Sequence, residues 1–101
     1  MNEVYEVETF SRICLAAEKS EREWIEKIKD QLAENLRVGK SLRYDWFREK
    51  KLGNKRLFFL INEKTNTAIL IAFGTKKEQQ EIIEHVLLNK ERCLKLINGH
   101  A

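Results

Sequence analysis

The feature that most constrains the fold is a pair of apolar runs near the middle of the chain. The runs are "KRLFFLIN", residues 55–62, and "TAILIAF", residues 67–73, and the four polar residues "EKTN" separate them. An almost continuously apolar run of this length is typical of a strand without a solvent-facing side. The polar link predicts a hairpin. Both runs therefore belong at the centre of a sheet that either is covered on both faces or curls strongly around a helix.

A third strand is predicted immediately before this pair. The stretch "WFREKK", residues 46–51, alternates weakly between apolar and charged residues, and "LGN" joins it to the first apolar run. Gly53 and Asn54 both tolerate the positive φ that a tight hairpin turn requires. Three consecutive strands are therefore expected over residues 46–73.

The N-terminal third predicts one strand and two helices. The stretch "VYEVETF", residues 4–10, alternates as a half-buried strand does, and Ser11 is a candidate N-cap for a helix that follows it. Ser20 and Glu23 form a Ser-x-x-Glu capping box at the start of a second helix, which Gly39 ends. The apolar stripe of this second helix consists of Trp24, Ile25, Ile28, Leu32 and Leu36.

A last helix is predicted after Gly74, where Thr75 and Glu78 form another capping box. We expect its second half to leave the body of the protein and offer a surface to a partner. The predicted fold class is α+β, in the order β-α-α-β-β-β-α, with a helical hairpin packed on a small, curled antiparallel sheet. We expect a single domain over residues 1–101, in which residues 86–101 form an extended C-terminal helix and tail.

The net charge of +3 hides an uneven distribution of charge along the chain. Residues 37–56 contain eight Lys or Arg and two acidic residues, whereas residues 1–36 contain five basic and nine acidic ones. A basic patch of this kind favours a polyanion. It is equally typical of a solvated strand edge, where Lys discourages pairing with another sheet. Charge alone does not separate these interpretations.

The sequence also suggests a compartment. The N-terminus is acidic and has no long apolar run, so we expect no signal peptide, no membrane span and a cytoplasmic location. Cys14 and Cys93 have no Cys-x-x-Cys spacing, and we expect them to be buried free thiols of a reducing compartment.

Three motifs resemble those of the RelE/ParE toxin superfamily of type II toxin–antitoxin systems, and they lie nearer to its RelE branch. "GKSLR" closes the helical hairpin, "KLGNKRLFFLIN" resembles the strand pair of that family, and "AILIAFGTKKEQQ" is similar to its final strand and the basic turn after it. The resemblance implies a small α+β toxin that an antitoxin protein neutralises, alone or in a larger homo- or hetero-oligomer. In the RelE branch it implies cleavage of mRNA in the ribosome, and in the ParE branch inhibition of DNA gyrase.

The RelE reading implies a mechanism without a metal ion or another cofactor, in which the RNA 2′-hydroxyl attacks the adjacent phosphate. Such a reaction needs a base, cations on the phosphoryl oxygens and an acid for the leaving oxygen. The resemblance places Arg56 as the clamp on the scissile phosphate, and Lys51 and Lys76 at further catalytic positions. The candidate RNA-binding residues are Arg43, Arg48, Lys50, Lys55, Lys77 and, by stacking on a base, Tyr44. As a structural alternative, the Arg56 side chain extends along the strand with its charged group in water, or it pairs with Asp45 or Glu49.

The chain departs from the RelE pattern where nucleases of that type carry a Tyr or a His–Tyr pair. Ile82 and Ile83 stand there, and His85 is a weak candidate within a helix. The proton-transfer groups are therefore not identified by the sequence. The alternative function is a member of the superfamily without nuclease activity, either an inhibitor of gyrase or a protein that only binds its partner or RNA.

Overall fold

The computed structural model describes residues 1–99, so the expectation for the last two residues of the tail, His100 and Ala101, lies outside the described part. Five strands and four helices follow one another along the chain. They are β1 (Glu3–Glu6), α1 (Glu8–Ala16), α2 (Lys19–Glu34), β2 (Lys40–Leu42), β3 (Tyr44–Leu52), β4 (Lys55–Asn62), β5 (Thr67–Thr75), α3 (Gln79–Leu88) and α4 (Lys90–Gly99).

The strands form one sheet in the order β1-β5-β4-β3-β2. The two apolar runs are β4 and β5, which pair antiparallel at the centre, as the sequence predicted. The α+β class is confirmed. The expectation of a purely antiparallel sheet is wrong in one respect, because β1 pairs with β5 in parallel and makes the sheet mixed.

Helices cover both faces of the sheet, which decides between the two readings of the apolar runs. On one face, α1 and α2 pack through Phe10, Ile25 and Leu32 against Leu57 and Phe59 of β4. On the other face, Val86 of α3 and Ile97 of α4 pack against a second cluster that includes Phe47, Phe58 and Leu60. Alternate residues of β4 thus enter different cores, which is why the run needs no polar position.

Two helices begin earlier than the sequence predicted. The first strand ends at Glu6 and α1 starts at Glu8, so Ser11 lies inside the helix and its hydroxyl bonds Glu6 instead of capping. The capping box of α2 consists of Glu18 and Glu21, not Ser20 and Glu23. Both boxes satisfy the same pattern of a side-chain acceptor and a Glu three residues later.

The predicted terminal helix is divided at Asn89 into α3 and α4. The side chain of Asn89 donates to the carbonyl oxygen of His85 at 2.8 Å, which competes with continuation of the helix. α4 packs into the same core as α3, and Ile97 is only 1% exposed. The expectation that the second half of a single extended helix leaves the body is therefore wrong.

The two cysteines are free and half-buried, and the sheet lies between them. Cys14 packs against the core under α1 and α2, and Cys93 packs against the core under α3 and α4. Among residues 1–99, no helix combines the length and the apolar character needed to cross a membrane.

Candidate nucleic-acid interface

The turn between β3 and β4 brings several of the predicted cations together at one end of the sheet. Lys51 is the cross-strand partner of Arg56, and Leu52 is the partner of Lys55. The backbone N–H of Lys76 donates to the carbonyl oxygen of Asn54 at 2.9 Å, which ties the turn before α3 to this hairpin. We call this region, with Lys50, Lys51, Lys55, Arg56, Lys76 and Lys77, the hairpin end.

The alternation of the strands divides the cations of the hairpin end between the two faces. Glu49 and Lys51 share the parity of Phe47 on β3, so they lie on the face covered by α3 and α4, as does Arg56. Lys50 is paired with Leu57, and both lie on the α1/α2 face. Lys55 also points there. Its ammonium lies 3.4 Å from a carboxylate oxygen of Glu21 and 5.3 Å from the centre of the Phe73 ring.

Arg56 is almost entirely buried and is already partnered. One terminal nitrogen, Nη1, donates to the carbonyl oxygens of Gly53 and Lys55 at 3.0 and 3.2 Å. Its Nε lies 3.6 Å from Oε1 of Glu49 and makes no hydrogen bond with the described residues. The structure thus shows the pairing with Glu49 that the sequence allowed as an alternative. Phosphate binding by Arg56 stays a prediction.

Glu49 is the centre of this arrangement, although only 1% of the residue is exposed. The side-chain amide nitrogen of Gln79, Nε2, lies at the start of α3 and donates to both carboxylate oxygens of Glu49 at 2.8 and 2.9 Å. The ammonium of Lys40 lies 3.9 Å from Oε2. Three side chains from β2, β4 and α3 therefore surround one carboxylate, which satisfies its charge away from water.

A groove of about 430 Å³ opens beside this carboxylate at the free edge of β3. It is lined by Gly39, Lys40, Glu49, Lys50 and Lys51. The edge is free because β2 begins at Lys40, the partner of Glu49, so within residues 1–99 Lys50 and Lys51 have no paired strand residue on that side. Cationic walls around an open edge suit the phosphate backbone of a single-stranded nucleic acid.

Lys76 and Lys77 are exposed in the turn before α3. Neither side chain makes an ion pair or a hydrogen bond with another side chain among residues 1–99, and both precede the N-terminus of the helix, where a cation opposes the helix dipole. The turn that carries them is bonded to the β3–β4 hairpin, so both cations belong to the exposed surface of the hairpin end.

Arg48 is held by the fold and does not face the groove. Its guanidinium donates to the carbonyl oxygens of Arg37, Val38 and Gly39 at 3.0 to 3.1 Å. Burial lowers the pKa of Arg48, with a smaller effect in the same direction from the charge of Arg37. To contact RNA, as the sequence predicted, Arg48 must first release the segment that leads into β2.

Arg43 and Tyr44 lie at the opposite end of β3 from the hairpin. Lys51 lies seven positions after Tyr44, which corresponds to roughly 23 Å along a strand. The Tyr44 ring stacks on Trp46 with 4.8 Å between centroids, and the ammonium of Lys90 lies 4.8 Å from its centre. The structure does not bring these two candidates together with Arg56.

Sequence reasoning treated Glu49 only as a structural partner for Arg56. A signal for a larger role is present in the sequence, because Glu49 is the one acidic residue in the predicted strand "WFREKK", residues 46–51. Its placement beside Arg56 and Gln79 depends on strand register and on the position of α3, which the sequence does not display. Within residues 1–99, no group of three or more His, Cys, Asp or Glu side chains could hold a metal ion.

No protein-family model matches this sequence, and no curated protein matches it at the level of sequence. Solved structures do match. The isolated RelE toxin of E. coli superposes with a TM-score of 0.66 at 16% identity, covering 85% of this chain and 99% of the toxin. A chain of the RelBE2 toxin–antitoxin complex of Mycobacterium tuberculosis gives a TM-score of 0.62 at 22% identity, covering 74% and 98%.

A chain of the archaeal RelE–RelB complex of Pyrococcus horikoshii matches in the same way. Its TM-score is 0.64 at 12% identity, and the match covers 74% of this chain and 94% of the other. Bacterial and archaeal structures thus share the arrangement of strands and helices described above at very different sequences. The chain has the fold of the RelE toxins.

Proposed function

We propose that this protein is the toxin of a type II toxin–antitoxin pair and that it inhibits translation by cutting mRNA at the ribosome. The observation that carries the proposal is the hairpin end, where Lys51 and Arg56 are cross-strand partners and the turn that contains Lys76 is bonded to the same hairpin, beside a groove with cationic walls. The shared fold of RelE toxins supports it.

The chemistry is a transesterification within the RNA. The 2′-hydroxyl attacks the neighbouring phosphorus, and Lys40, Lys51 and Lys76 hold the charge that develops on the phosphoryl oxygens. Arg56 binds the same group through its fork of N–H donors once the phosphate replaces Glu49 as its partner. Lys50 and Lys77 contact neighbouring phosphates.

An antitoxin is the partner that fits this proposal. The matched chains from M. tuberculosis and P. horikoshii come from toxin–antitoxin complexes. A partner with acidic side chains would cover the basic hairpin end by charge complementarity and block access to RNA. Toxin, antitoxin and ribosome meet in the cytoplasm, which is the location that we propose.

A second function, binding without nuclease activity, is favoured by the state of Arg56. In the described chain its guanidinium is engaged by Glu49 and two backbone carbonyls, and no Tyr or His lies among the residues that line the groove. A ParE-like inhibitor of gyrase or a protein that only binds RNA or its partner would need no proton-transfer groups.

Controlled expression in a bacterial host separates these functions. We expect growth arrest with cleaved mRNA, and we expect Lys51→Ala and Arg56→Ala to abolish both, whereas Lys27→Ala on the exposed side of α2 should remain as toxic as the wild type. Growth arrest with intact mRNA and altered DNA supercoiling would instead support the gyrase inhibitor. Expression that changes neither the mRNA nor the DNA supercoiling would support a protein that only binds.

A further inference from the structure

The groove at the edge of β3 contains many donors of hydrogen bonds and a single side chain that accepts a proton. Of the five lining residues in the described chain, Lys40, Lys50 and Lys51 carry ammonium groups, which donate only, and Gly39 has no side chain. Glu49, the fifth lining residue, carries the carboxylate that can accept a proton. The proposed reaction requires an acceptor for the proton of the 2′-hydroxyl.

The surroundings of Glu49 are those of an oriented base. Gln79 donates to both of its oxygens at 2.8 and 2.9 Å, which fixes the plane of the carboxylate. Oε1 lies 3.6 Å from Nε of Arg56, whose N–H has no hydrogen-bond acceptor in the described chain. This pairing is longer than a hydrogen bond, so an anion with better geometry can replace it.

A negative charge at this position weakens binding of a polyanion, because it neutralises part of the cationic site. A carboxylate that weakens RNA binding at this position is explained if Glu49 acts in the reaction itself. We propose that Glu49 is the general base of the cleavage reaction and that, in the free protein, it holds Arg56 until an RNA phosphodiester takes its place. The inference rests on the proposed function and supplies the residue that it lacks.

Glu49 accepts the proton of the 2′-hydroxyl, the 2′-oxygen forms a bond to phosphorus, and the bond from phosphorus to the 5′-oxygen breaks. Lys51 lies two positions after Glu49 on the same strand, about 7 Å between Cα atoms, and its ammonium donates a proton to the departing oxygen. The products are a 2′,3′-cyclic phosphate and a 5′-hydroxyl, and exchange with water restores both side chains.

The test combines two measurements on Glu49→Gln, with Glu91→Gln as the control. Glu91 is an exposed residue in the first turn of α4, near Lys90 and the opposite end of β3. Cleavage is measured under single-turnover conditions on free mRNA and on mRNA bound to ribosomes. Binding is measured by fluorescence anisotropy with a 2′-O-methyl oligonucleotide, which lacks the nucleophile.

We expect Glu49→Gln to slow cleavage by roughly 10²- to 10⁴-fold, the usual contribution of a general base. It should also bind the oligonucleotide several-fold more tightly, whereas Glu91→Gln changes neither property by more than about twofold.

Glu49→Asp keeps the carboxylate and should retain more cleavage than Glu49→Gln at equal folded fraction, which separates a base from a purely structural residue. Undiminished cleavage by Glu49→Gln, or binding no tighter than that of Glu91→Gln, would overturn the inference and leave the proposed function standing. A wild-type protein that cleaves neither RNA would overturn both.

Discussion

At the scale of single residues, neighbouring cations of one basic segment serve different purposes. Arg48 holds three backbone carbonyls, Lys55 pairs with Glu21 of α2, and Lys51 is exposed at the groove. The three differ in which face of the sheet they reach and in what that face contains. Whether a side chain in a basic run stabilises the fold or is free to bind a ligand therefore depends on its surroundings.

Arg48→Ala should lower the free energy of unfolding by about 2–4 kcal/mol, because three carbonyl oxygens lose a charged donor in a partly buried place. Arg48→Lys should recover only part of this, since an ammonium cannot reach three acceptors as the planar guanidinium does. Urea denaturation measures the free energy of unfolding of both variants. Arg12→Ala, in an exposed pair with Glu8, is the control. Equal effects of the two alanine variants would contradict the structural role of Arg48.

Glu6 makes stability depend on pH. Burial raises the pKa of Glu6, but hydrogen bonds from Lys29 and Ser11 outweigh it and bring the pKa below its ordinary value. Because the folded pKa is depressed, the stabilisation is present above the unfolded pKa and is lost as pH falls through the folded value, below about pH 4.

We therefore expect Glu6→Gln to lose about 1 kcal/mol near neutral pH and to approach the wild type in acid. Thermal unfolding at a series of pH values measures the difference. Glu8→Gln, whose side chain is exposed, should follow the wild type throughout. A Glu6→Gln deficit that does not shrink in acid would show that the hydrogen bonds, not the charge, carry the effect.

At the scale of elements, Gly39 decides where the edge of the sheet lies. It has a φ of +72°, and a Cβ placed there would approach the carbonyl oxygen of Glu49 to 2.0 Å. The backbone that leads into β2 can therefore lie against β3 only with glycine at this position. Glu49, Lys40 and the groove are all placed by this close contact.

Gly39→Ala and Gly53→Ala form a matched pair. Gly53 also has a positive φ, of +53°, but nothing lies within 4 Å of an added Cβ. Gly53→Ala should cost about 1–2 kcal/mol from the left-handed backbone alone. Gly39→Ala should cost more, because the backbone must also move. The comparison is made by urea denaturation, and equal losses would contradict the close contact.

At the scale of the whole molecule, acidic and basic residues are separated in space. The acidic N-terminal third forms α1 and α2 on one face, and the cations collect at the hairpin end and its edge. An approaching nucleic acid is attracted to the hairpin end and repelled by the helical hairpin, so the charge distribution orients the encounter.

RNA binding should accordingly depend on salt through the exposed lysines. We expect the triple variant Lys51→Ala, Lys76→Ala, Lys77→Ala to reduce the slope of log K against log salt by about 2, since each phosphate contact on a single strand contributes roughly 0.7. Lys19→Ala with Lys27→Ala on α2 should leave the slope unchanged. Anisotropy titrations at several salt concentrations measure it, and a slope altered equally in both variants would contradict a localised interface.

The sequence by itself determined the central strands, the helical hairpin, the α+β class and the basic segment, because apolar periodicity and charge are local properties of the chain. It misplaced the starts of all three predicted helices and the end of the second, and it missed the break at Asn89, since several nearby side chains can satisfy a helix end equally well. Only the tertiary structure decided which cations share a face and which lie in the core. That choice depends on strand register and on where α3 packs, and these bring Glu49, Gln79 and Arg56 together from three separate segments.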